Sequence, residues 1–248
     1  MLSDRFELCI SLGAFGRVGY VEAMLKSVGL TQPTLGEISL SHAQLCPQNS
    51  GLIDENMVDQ LSSSFKNTQF RLHANAMVQE KRIISDLANF KEDQTYWAQL
   101  AKISKSLKAP AYSAHAGRRK FSTMEEVIHN TRLAEDLFGC PVALEGHYPA
   151  IGNPFLVSTC KEYQTILNAG IHYALYLSHL NIVASHSKRY EKNLVREMLN
   201  SPQCIEVHIS GNDGQYDAHQ EIETMTVWCE DLNYINDDAV IFSECQVN

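Results

Sequence analysis

The sequence predicts an α/β fold, a (β/α)8 TIM barrel that forms a single domain over residues 1–248. Short apolar segments recur about every 30–40 residues, and stretches with helical periodicity separate them. The chain carries eight such segments, and eight strand–helix units in roughly 250 residues are typical of this barrel. A doubly wound open sheet is the alternative, but its phosphate-binding loop is represented only by Gly13-Ala14-Phe15-Gly16, which lacks the full GxGxxG pattern.

The predicted strands are short and mostly apolar, as parallel strands buried on both faces should be. They lie at Phe6–Leu12, Leu35–Ser41, Gln69–Ala74, Ala111–His115, Val142–Gly146, Tyr173–His179, Ile205–Ile209 and Ala239–Glu244. Helices are predicted between them at Gly19–Val28, Glu55–Phe65, Thr123–Leu137, Ser158–Asn168, Lys188–Leu199 and Glu221–Glu230. The third connection, Asn75–Ala109, is long enough for two helices.

The end of the sequence predicts an incomplete outer ring of helices. Asn248 follows the eighth predicted strand by four residues, which leaves no room for an eighth helix. We therefore expect a partner protein, a second copy in a homodimer or a neighbouring helix to cover the outer face of that strand.

Composition narrows the classes of function. The chain has 20 Lys and Arg against 29 Asp and Glu, a formal net charge of −9, which disfavours nucleic acid as a partner. No apolar run approaches the roughly 20 residues that span a bilayer. The first residues carry no basic region of a secretory signal, and the seven cysteines are scattered with no CxxC pair. This pattern predicts reduced thiols and a cytoplasmic protein.

Potential metal ligands stand at six consecutive predicted strand ends, where barrel enzymes carry their active residues. These residues are His73, His115, Glu145, His179, His208 and Glu244. The Gly211–Gly214 loop after the seventh strand adds Asp217 and His219. Imidazole and carboxylate suit iron, zinc and manganese. Eight ligands exceed the needs of one tetrahedral ion, so we expect two or three divalent ions that share carboxylates.

Three further residues are candidates for contact with substrate. Arg118 and Arg119 follow His115 and could bind a carboxylate or a phosphate, although a solvated loop is the alternative interpretation. Tyr176 could line the pocket, or could simply pack within its strand.

The ordered set of strand-end residues resembles that of the endonuclease IV-like and xylose isomerase-like TIM-barrel superfamily. The resemblance covers about Gln69 to Glu244. It implies that one metal is held by His73, His115 and Glu145, a second by Glu145, His208 and Glu244, and a third by His179, Asp217 and His219. One position departs from the pattern: many relatives carry an Asp on the sixth strand, near the place where this chain has Tyr176.

Within that superfamily the chain most resembles multinuclear non-haem iron enzymes that modify cysteines in ribosomally made peptides, of the methanobactin biosynthesis type. The similar segments are SAH, LEG, SHLNIVA and the DxH loop. This resemblance implies oxidation of a peptide or small thiol substrate by two or three iron ions, with a small partner protein. One alternative is a sugar isomerase or epimerase in which Glu145 and Glu244 are catalytic and move a proton between carbons. The other is a zinc-dependent abasic-site endonuclease.

Overall fold

Eight parallel strands form a nearly closed barrel in the computed structural model, which describes residues 6–223 and 228–247. The strands are β1 (Leu8–Ser11), β2 (His42–Leu45), β3 (Gln69–Leu72), β4 (Tyr112–His115), β5 (Val142–Glu145), β6 (Tyr173–Tyr176), β7 (Cys204–Ile209) and β8 (Val240–Ser243). All are parallel to their neighbours and almost entirely buried. The predicted TIM-barrel fold is therefore confirmed.

Helices alternate with these strands and pack outside them. The α-helices of the described residues are α1 (Tyr20–Lys26), α2 (Glu55–Ser64), α3 (Gln94–Ser106), α4 (Met124–Phe138), α5 (Cys160–Ala169), α6 (Leu177–Ser187) and α7 (Lys192–Asn200). Shorter 3-10 helices occupy Leu12–Phe15, Leu87–Asn89 and Cys229–Tyr234. None of the described helices is long and apolar enough to cross a bilayer.

Side-chain caps explain where several helices begin. The Asp54 carboxylate accepts a hydrogen bond from the Met57 amide at the start of α2. At the start of α4, Thr123 and Glu126 form a reciprocal capping box. Gly139 then ends α4 with a φ of 70°, a left-handed conformation that glycine adopts without strain.

The second strand lies later than predicted. Leu35–Ser41 is not a barrel strand, because part of it pairs with Thr31–Gln32 in a small antiparallel hairpin, and the barrel strand is β2. Alternating apolar residues made the earlier segment resemble a strand, and Leu35 and Ile38 are indeed buried. The true strand was hidden because it carries Gln44 at a buried, inward-facing position.

The connection after β6 also differs from the prediction. The strand ends at Tyr176 instead of continuing to His179, which lies in the first turn of α6. Two helices, α6 and α7, occupy this connection, where only Lys188–Leu199 was predicted.

Two more connections need correction. The predicted helix Glu221–Glu230 lies partly outside the described residues, at 224–227; residues 221–223 are not helical, and a 3-10 helix begins only at Cys229. Gly211 and Gln220 exchange backbone hydrogen bonds of 2.7 and 2.9 Å, which close the loop that carries Asp217 and His219. The long third connection contains one α-helix, α3, and one 3-10 turn instead of two helices.

The barrel is not closed by backbone hydrogen bonds at one position, between the described strands β3 and β4. The hydrogen-bonded order of the sheet is β3-β2-β1-β8-β7-β6-β5-β4, so β3 and β4 are its two ends, with no backbone ladder between these described strands. Side chains cross this seam: His73 Nδ1 lies 3.0 Å from Ser113 Oγ, and Gln44 donates to the same hydroxyl at 3.4 Å. The seam therefore lies beside the cluster of predicted metal ligands.

Candidate metal centre

Side chains from several strand ends converge on Glu145, the last residue of β5. Its buried Oε2 atom lies 3.7 Å from His73 Nε2 and 3.1 Å from His208 Nδ1. Its Oε1 atom lies 3.8 Å from His115 Nε2 and 4.0 Å from His179 Nδ1. The barrel thus brings four histidines from separate segments to one carboxylate.

Two sets of ligand atoms are compact enough to hold a metal ion. The first comprises His73, His115 and Glu145, and the second His73, His208 and Glu244; within each set the atoms lie within 4.8 Å of one another. The first set is the one expected from the resemblance. In the second, His73 stands where Glu145 was expected, although Glu145 also lies close to His208. We refer to these five residues as the central group.

Two buried atoms of the central group support a bound cation. Glu145 Oε2 and His208 Nδ1 are 3.1 Å apart and attract each other as a charged pair, yet neither atom makes a well-aligned hydrogen bond to any residue that the structure describes. A buried polar atom left without a partner costs about 1–3 kcal/mol. A cation shared by both atoms would satisfy them, and imidazole with carboxylate is a donor set that zinc, iron and manganese accept.

Protein contacts orient the remaining histidines. His73 Nδ1 lies 3.0 Å from Ser113 Oγ, and His115 Nδ1 lies 3.5 Å from the carboxylate of Asp86. His179 donates from Nδ1 to the Gly146 carbonyl at 2.9 Å, which turns Nε2 toward Asp217. Partners of this kind set the tautomer and orientation of metal-binding histidines.

A second cluster lies at the edge of the same cavity. Asp217 Oδ2 is 3.3 Å from His179 Nε2 and 3.1 Å from His219 Nε2, and Asp217 Oδ1 is buried with no hydrogen bond to the residues that the structure describes. We call these three residues the peripheral group. Two of them lie on the loop after β7, and His219 has a φ of 47°, an unfavourable backbone conformation of the kind found at functional sites.

Tyr176 lies between the two groups. Its hydroxyl is 2.8 Å from Ser210 Oγ and 3.0 Å from His219 Nδ1, and its ring centroid is 4.1 Å from that of His179. The residue supplies no carboxylate, but it orients His219 so that Nε2 faces Asp217. Tyr176 also lines the cavity beside these groups. Its contact with substrate stays a prediction.

Mutual attraction dominates the electrostatics of the central group. Burial alone would raise the pKa of Glu145, but the positive charge of His208 holds that pKa well below its ordinary value. Burial likewise disfavours a charged His208, yet the charge of Glu145 raises its pKa well above the usual value. Burial lowers the pKa of His73, so the central group combines a charged pair, Glu145 with His208, with an imidazole that resists protonation.

Two histidines nearer the solvent follow the same logic. Burial lowers the pKa of His115, but the hydrogen bond to Asp86 and the charge of Glu145 outweigh it and raise the pKa to about 9. The hydrogen bond to Asp217 similarly overcomes burial and raises the pKa of His219 to about 9. His147, beside His115, behaves oppositely, because burial lowers its pKa to about 3.

Two cavities open onto these groups. One has a volume of about 280 Å³ and extends from the central group to the peripheral group, with Arg82 and Tyr148 among its walls. The other, of about 310 Å³, lies toward the 3-10 helix after β1. Both are lined by Gln48, His73, His219 and Glu244. A small polar molecule in either cavity would meet the predicted ligands directly.

Arg118 and Arg119 occupy different environments from these cavities. Arg119 forms an ion pair of 2.6 Å with Glu162 and donates to the Asn153 carbonyl, so it ties down the loop after β5. The Arg118 guanidinium lies over the Phe155 ring at 5.3 Å. Neither residue lines the two cavities, and their predicted contact with substrate stays a prediction.

Sequence reasoning missed three polar residues that contact the ligands. Glu206 and Gln44 lie against His208, and Asp86 lies against His115. Glu206 left a signal, because it is a carboxylate inside an otherwise apolar strand, two residues before His208. Two residues is the period at which side chains share one face of a strand. Asp86 lies on a loop and left no comparable signal.

Comparisons with known proteins agree with the fold. No protein-family model matches the sequence, and no curated protein is similar to it. The chain is similar in structure to a D-tagatose 3-epimerase-like protein, with a TM-score of 0.67 and 15% identity over 96% of this chain and 90% of the other. It is also similar to the AP endonuclease, family 2, of Brucella melitensis, with a TM-score of 0.64 and 11% identity over 97% of this chain and 93% of the other.

A third similar structure was solved with a metal. This is the IOLI protein with a bound zinc atom, at a TM-score of 0.64 and 13% identity over 96% of this chain and 88% of the other. Likeness at these identities is likeness of fold, and these structures are xylose isomerase-like barrels, as the strand-end pattern led us to expect. The link to methanobactin-type iron enzymes has no support among them. The chain therefore shares the TIM-barrel fold of these proteins.

Proposed function

We propose that the protein is a metal-dependent isomerase or epimerase that moves a proton on the carbon skeleton of a small sugar-like substrate. One observation carries the proposal: two glutamates from separate strands face the same imidazole nitrogen. Glu145 Oε2 and Glu244 Oε1 lie 3.1 and 3.6 Å from His208 Nδ1, and both residues line one cavity. Two carboxyl groups at one metal position can serve as the general base that removes a proton and the general acid that returns it.

The central group would hold the metal, which supplies a Lewis acid that polarises a carbonyl group. The protein's own residues then carry the proton. One of Glu145 and Glu244 accepts the proton of the carbon next to the carbonyl, and the C–H electron pair moves into an enediolate of the substrate. The other carboxyl group, protonated at the start, donates its proton to the opposite face of the same carbon; alternatively, the first group returns its proton to the neighbouring carbon while the proton of the substrate hydroxyl moves to the former carbonyl oxygen. Epimerisation follows in the first case and isomerisation in the second.

The cavities suit a hydroxylated substrate of modest size. They measure about 280 and 310 Å³, and their walls include the polar side chains of Gln48, Asn75 and Gln246. Pockets for small ligands typically begin near 300 Å³ and fix their ligands with a few such polar groups. Among the structurally similar proteins are D-psicose 3-epimerase and a D-tagatose 3-epimerase-like protein. This support favours the isomerase or epimerase over iron-dependent oxidation of a peptide.

A second candidate function is hydrolysis of a phosphate ester. It is favoured by the peripheral group, which a sugar epimerase does not require, and by the likeness to an AP endonuclease of family 2. Two or more metals can activate water and stabilise a leaving oxygen. The net charge of −9 argues for a small ester over a DNA duplex as its substrate.

The test is solvent exchange catalysed by metal-loaded protein. The protein is purified anaerobically, its metals are identified by elemental analysis, and it is incubated with a panel of ketoses and aldoses in deuterated water. We expect deuterium at the carbon next to the carbonyl, detected by NMR, with loss of exchange in Glu145→Gln and Glu244→Gln. Asp238→Asn, a change in an exposed acid remote from the cavity, is the control.

Other results would redirect the proposal. Absence of exchange together with cleavage of a phosphate ester would replace it with the hydrolase. Two or more irons with a mixed-valence spectrum and no exchange would restore the oxidative interpretation.

A further inference from the structure

A buried polar cluster lies inside the barrel directly beneath the central group. It consists of Glu206 on β7, Arg71 on β3 and Gln44 on β2. We propose that Glu206 is a positioning residue of the metal centre, which accepts the Nε2 proton of His208 and so leaves Nδ1 as the nitrogen that binds metal. This inference rests on the metal centre of the proposed function and not on the reaction catalysed there.

The contacts define the orientation of the imidazole. Glu206 Oε2 lies 3.1 Å from His208 Nε2 and accepts a hydrogen bond of 2.9 Å from Gln44 Nε2. Gln44 Nε2 also lies 3.0 Å from His208 Nε2, so this side of the ring is enclosed by protein. The opposite nitrogen, Nδ1, faces Glu145 at 3.1 Å and Glu244 at 3.6 Å and makes no well-aligned hydrogen bond within the described part of the chain. Protein contacts therefore fix the Nε2 side of the ring, and the Nδ1 side faces the carboxylates of the central group.

Arg71 supports the negative charge that this arrangement needs. Its NH1 donates to Glu206 Oε1 at 2.8 Å, and the exposed fraction is 0% for the Glu206 side chain and 6% for that of Arg71. Gln44 donates to the other oxygen, Oε2, at 2.9 Å, so both carboxylate oxygens of Glu206 accept hydrogen bonds from protein donors. Paired with Arg71, Glu206 remains an acceptor, so His208 Nε2 must be the donor.

Glu206 lies too deep to act on a substrate. It lines neither cavity at the metal groups, and it lies two residues before His208 on the same face of β7. Its effect must pass through His208. A carboxylate behind a metal-binding imidazole fixes the ring and makes it a stronger ligand, and loss of such partners typically costs about 10- to 100-fold in metal affinity.

The competing explanation is that Arg71 and Glu206 form only a buried ion pair of the fold. Such a pair would affect stability without affecting metal affinity in the folded protein. The chain contains a matched pair for comparison. Asp231 is also 0% exposed, binds Arg196 at 2.7 Å and accepts from Tyr190 at 2.6 Å, and lies in the 3-10 helix outside the barrel.

The experiment measures Zn²⁺ affinity by chelator competition for wild type, Glu206→Gln and Asp231→Asn. The Co²⁺ absorption spectrum and the unfolding temperature of the metal-free protein are recorded in parallel. We expect about 10- to 100-fold weaker Zn²⁺ binding and an altered Co²⁺ spectrum for Glu206→Gln. Asp231→Asn should unfold at a lower temperature yet bind Zn²⁺ as wild type does.

Each alternative outcome is decisive. Wild-type affinity in folded Glu206→Gln, or equal losses in both variants, would overturn the inference. If Glu206→Gln does not fold, Gln44→Leu replaces it; we expect weaker binding there, and unchanged binding overturns the proposal. A wild-type protein that binds no Zn²⁺ removes both this inference and the proposed function. A protein that binds Zn²⁺ but exchanges no sugar proton removes only the proposed reaction.

Discussion

The central and peripheral groups differ in what holds them. The central residues stand at strand ends and are mostly buried, with exposed side-chain fractions of 2% for Glu145 and 0% for His208. The peripheral group takes Asp217 and His219 from a loop, and 31% of the His219 side chain is exposed. Only the strand-borne group has its ligand geometry set by the barrel itself.

This difference predicts two metal sites of unequal strength. Ligands on strands are positioned before metal arrives, whereas ligands on a loop must be ordered by it, which weakens binding. Tyr176 widens the difference, because it supplies no carboxylate between the groups. We therefore expect a tight central site and a weak peripheral one.

Glu145→Gln should have the largest effect. Glu145 faces four histidines, and its amide replacement lacks the charge that attracts both metal and imidazolium. We expect loss of the tightly bound ion, measured by elemental analysis after dialysis, and loss of all activity in the deuterium-exchange assay. Full retention of metal would contradict the central role of this carboxylate.

Asp217→Asn should remove only the weak site. The carboxylate joins His179 and His219, and the central group does not depend on it. Isothermal titration should show one tight ion per protein, with the second binding event absent. Loss of both events would show that the two groups form a single site.

Tyr176→Asp should strengthen the weak site and cost stability without metal. The new carboxylate would stand between the groups, but it leaves a cavity and a buried charge in place of a ring that is 2% exposed. We expect tighter binding of the second ion and a metal-free unfolding free energy lower by about 3–5 kcal/mol. Tyr176→Phe is the control, which loses the hydroxyl contacts without gaining a ligand.

Metal affinity should rise with pH. His115 and His219 have pKa values of about 9 in the metal-free protein, so both carry protons at neutral pH that a metal must displace. Affinity should increase up to about pH 9, and calorimetry in buffers of different ionisation enthalpy should detect the released protons. The same raised pKa values stabilise the metal-free protein below about pH 6.5, and this stabilisation is lost as the pH rises through about 9.

Substitution of Arg119 should have the smallest effect, confined to stability. Arg119→Gln removes an ion pair with Glu162 that is partly exposed, so we expect a loss of about 1 kcal/mol and unchanged metal affinity. Arg118→Gln removes only the contact with the Phe155 ring and should melt like wild type. A change in affinity for an anionic substrate in either variant would restore the predicted role in binding.

The barrel and most of the cluster could be predicted because strand periodicity and strand ends are local properties of the sequence. His73, His115, Glu145, His208 and Glu244 each follow or end an apolar run, and the fold then brings these ends together. The second strand was misplaced because the buried Gln44 broke its apolar pattern. Asp86 contacts His115 because its loop packs closely against Gly117. A Cβ atom at Gly117, where φ is 94°, would lie only 2.8 Å from the Asp86 Cβ atom, so this approach requires glycine. Contacts of that kind are not encoded in any local pattern.

The open seam between β3 and β4 has a consequence for the motions of the barrel. His73 follows one edge and His115 ends the other, and both face Glu145. An ion bound by these three residues would act as a clasp across strands that no backbone ladder joins. We expect amide hydrogens along Gln69–Leu72 and Tyr112–His115 to exchange faster than those of the other strands without metal, and to slow sharply on loading. The ion that prepares the site for chemistry would thus also restrain local opening of the barrel between β3 and β4.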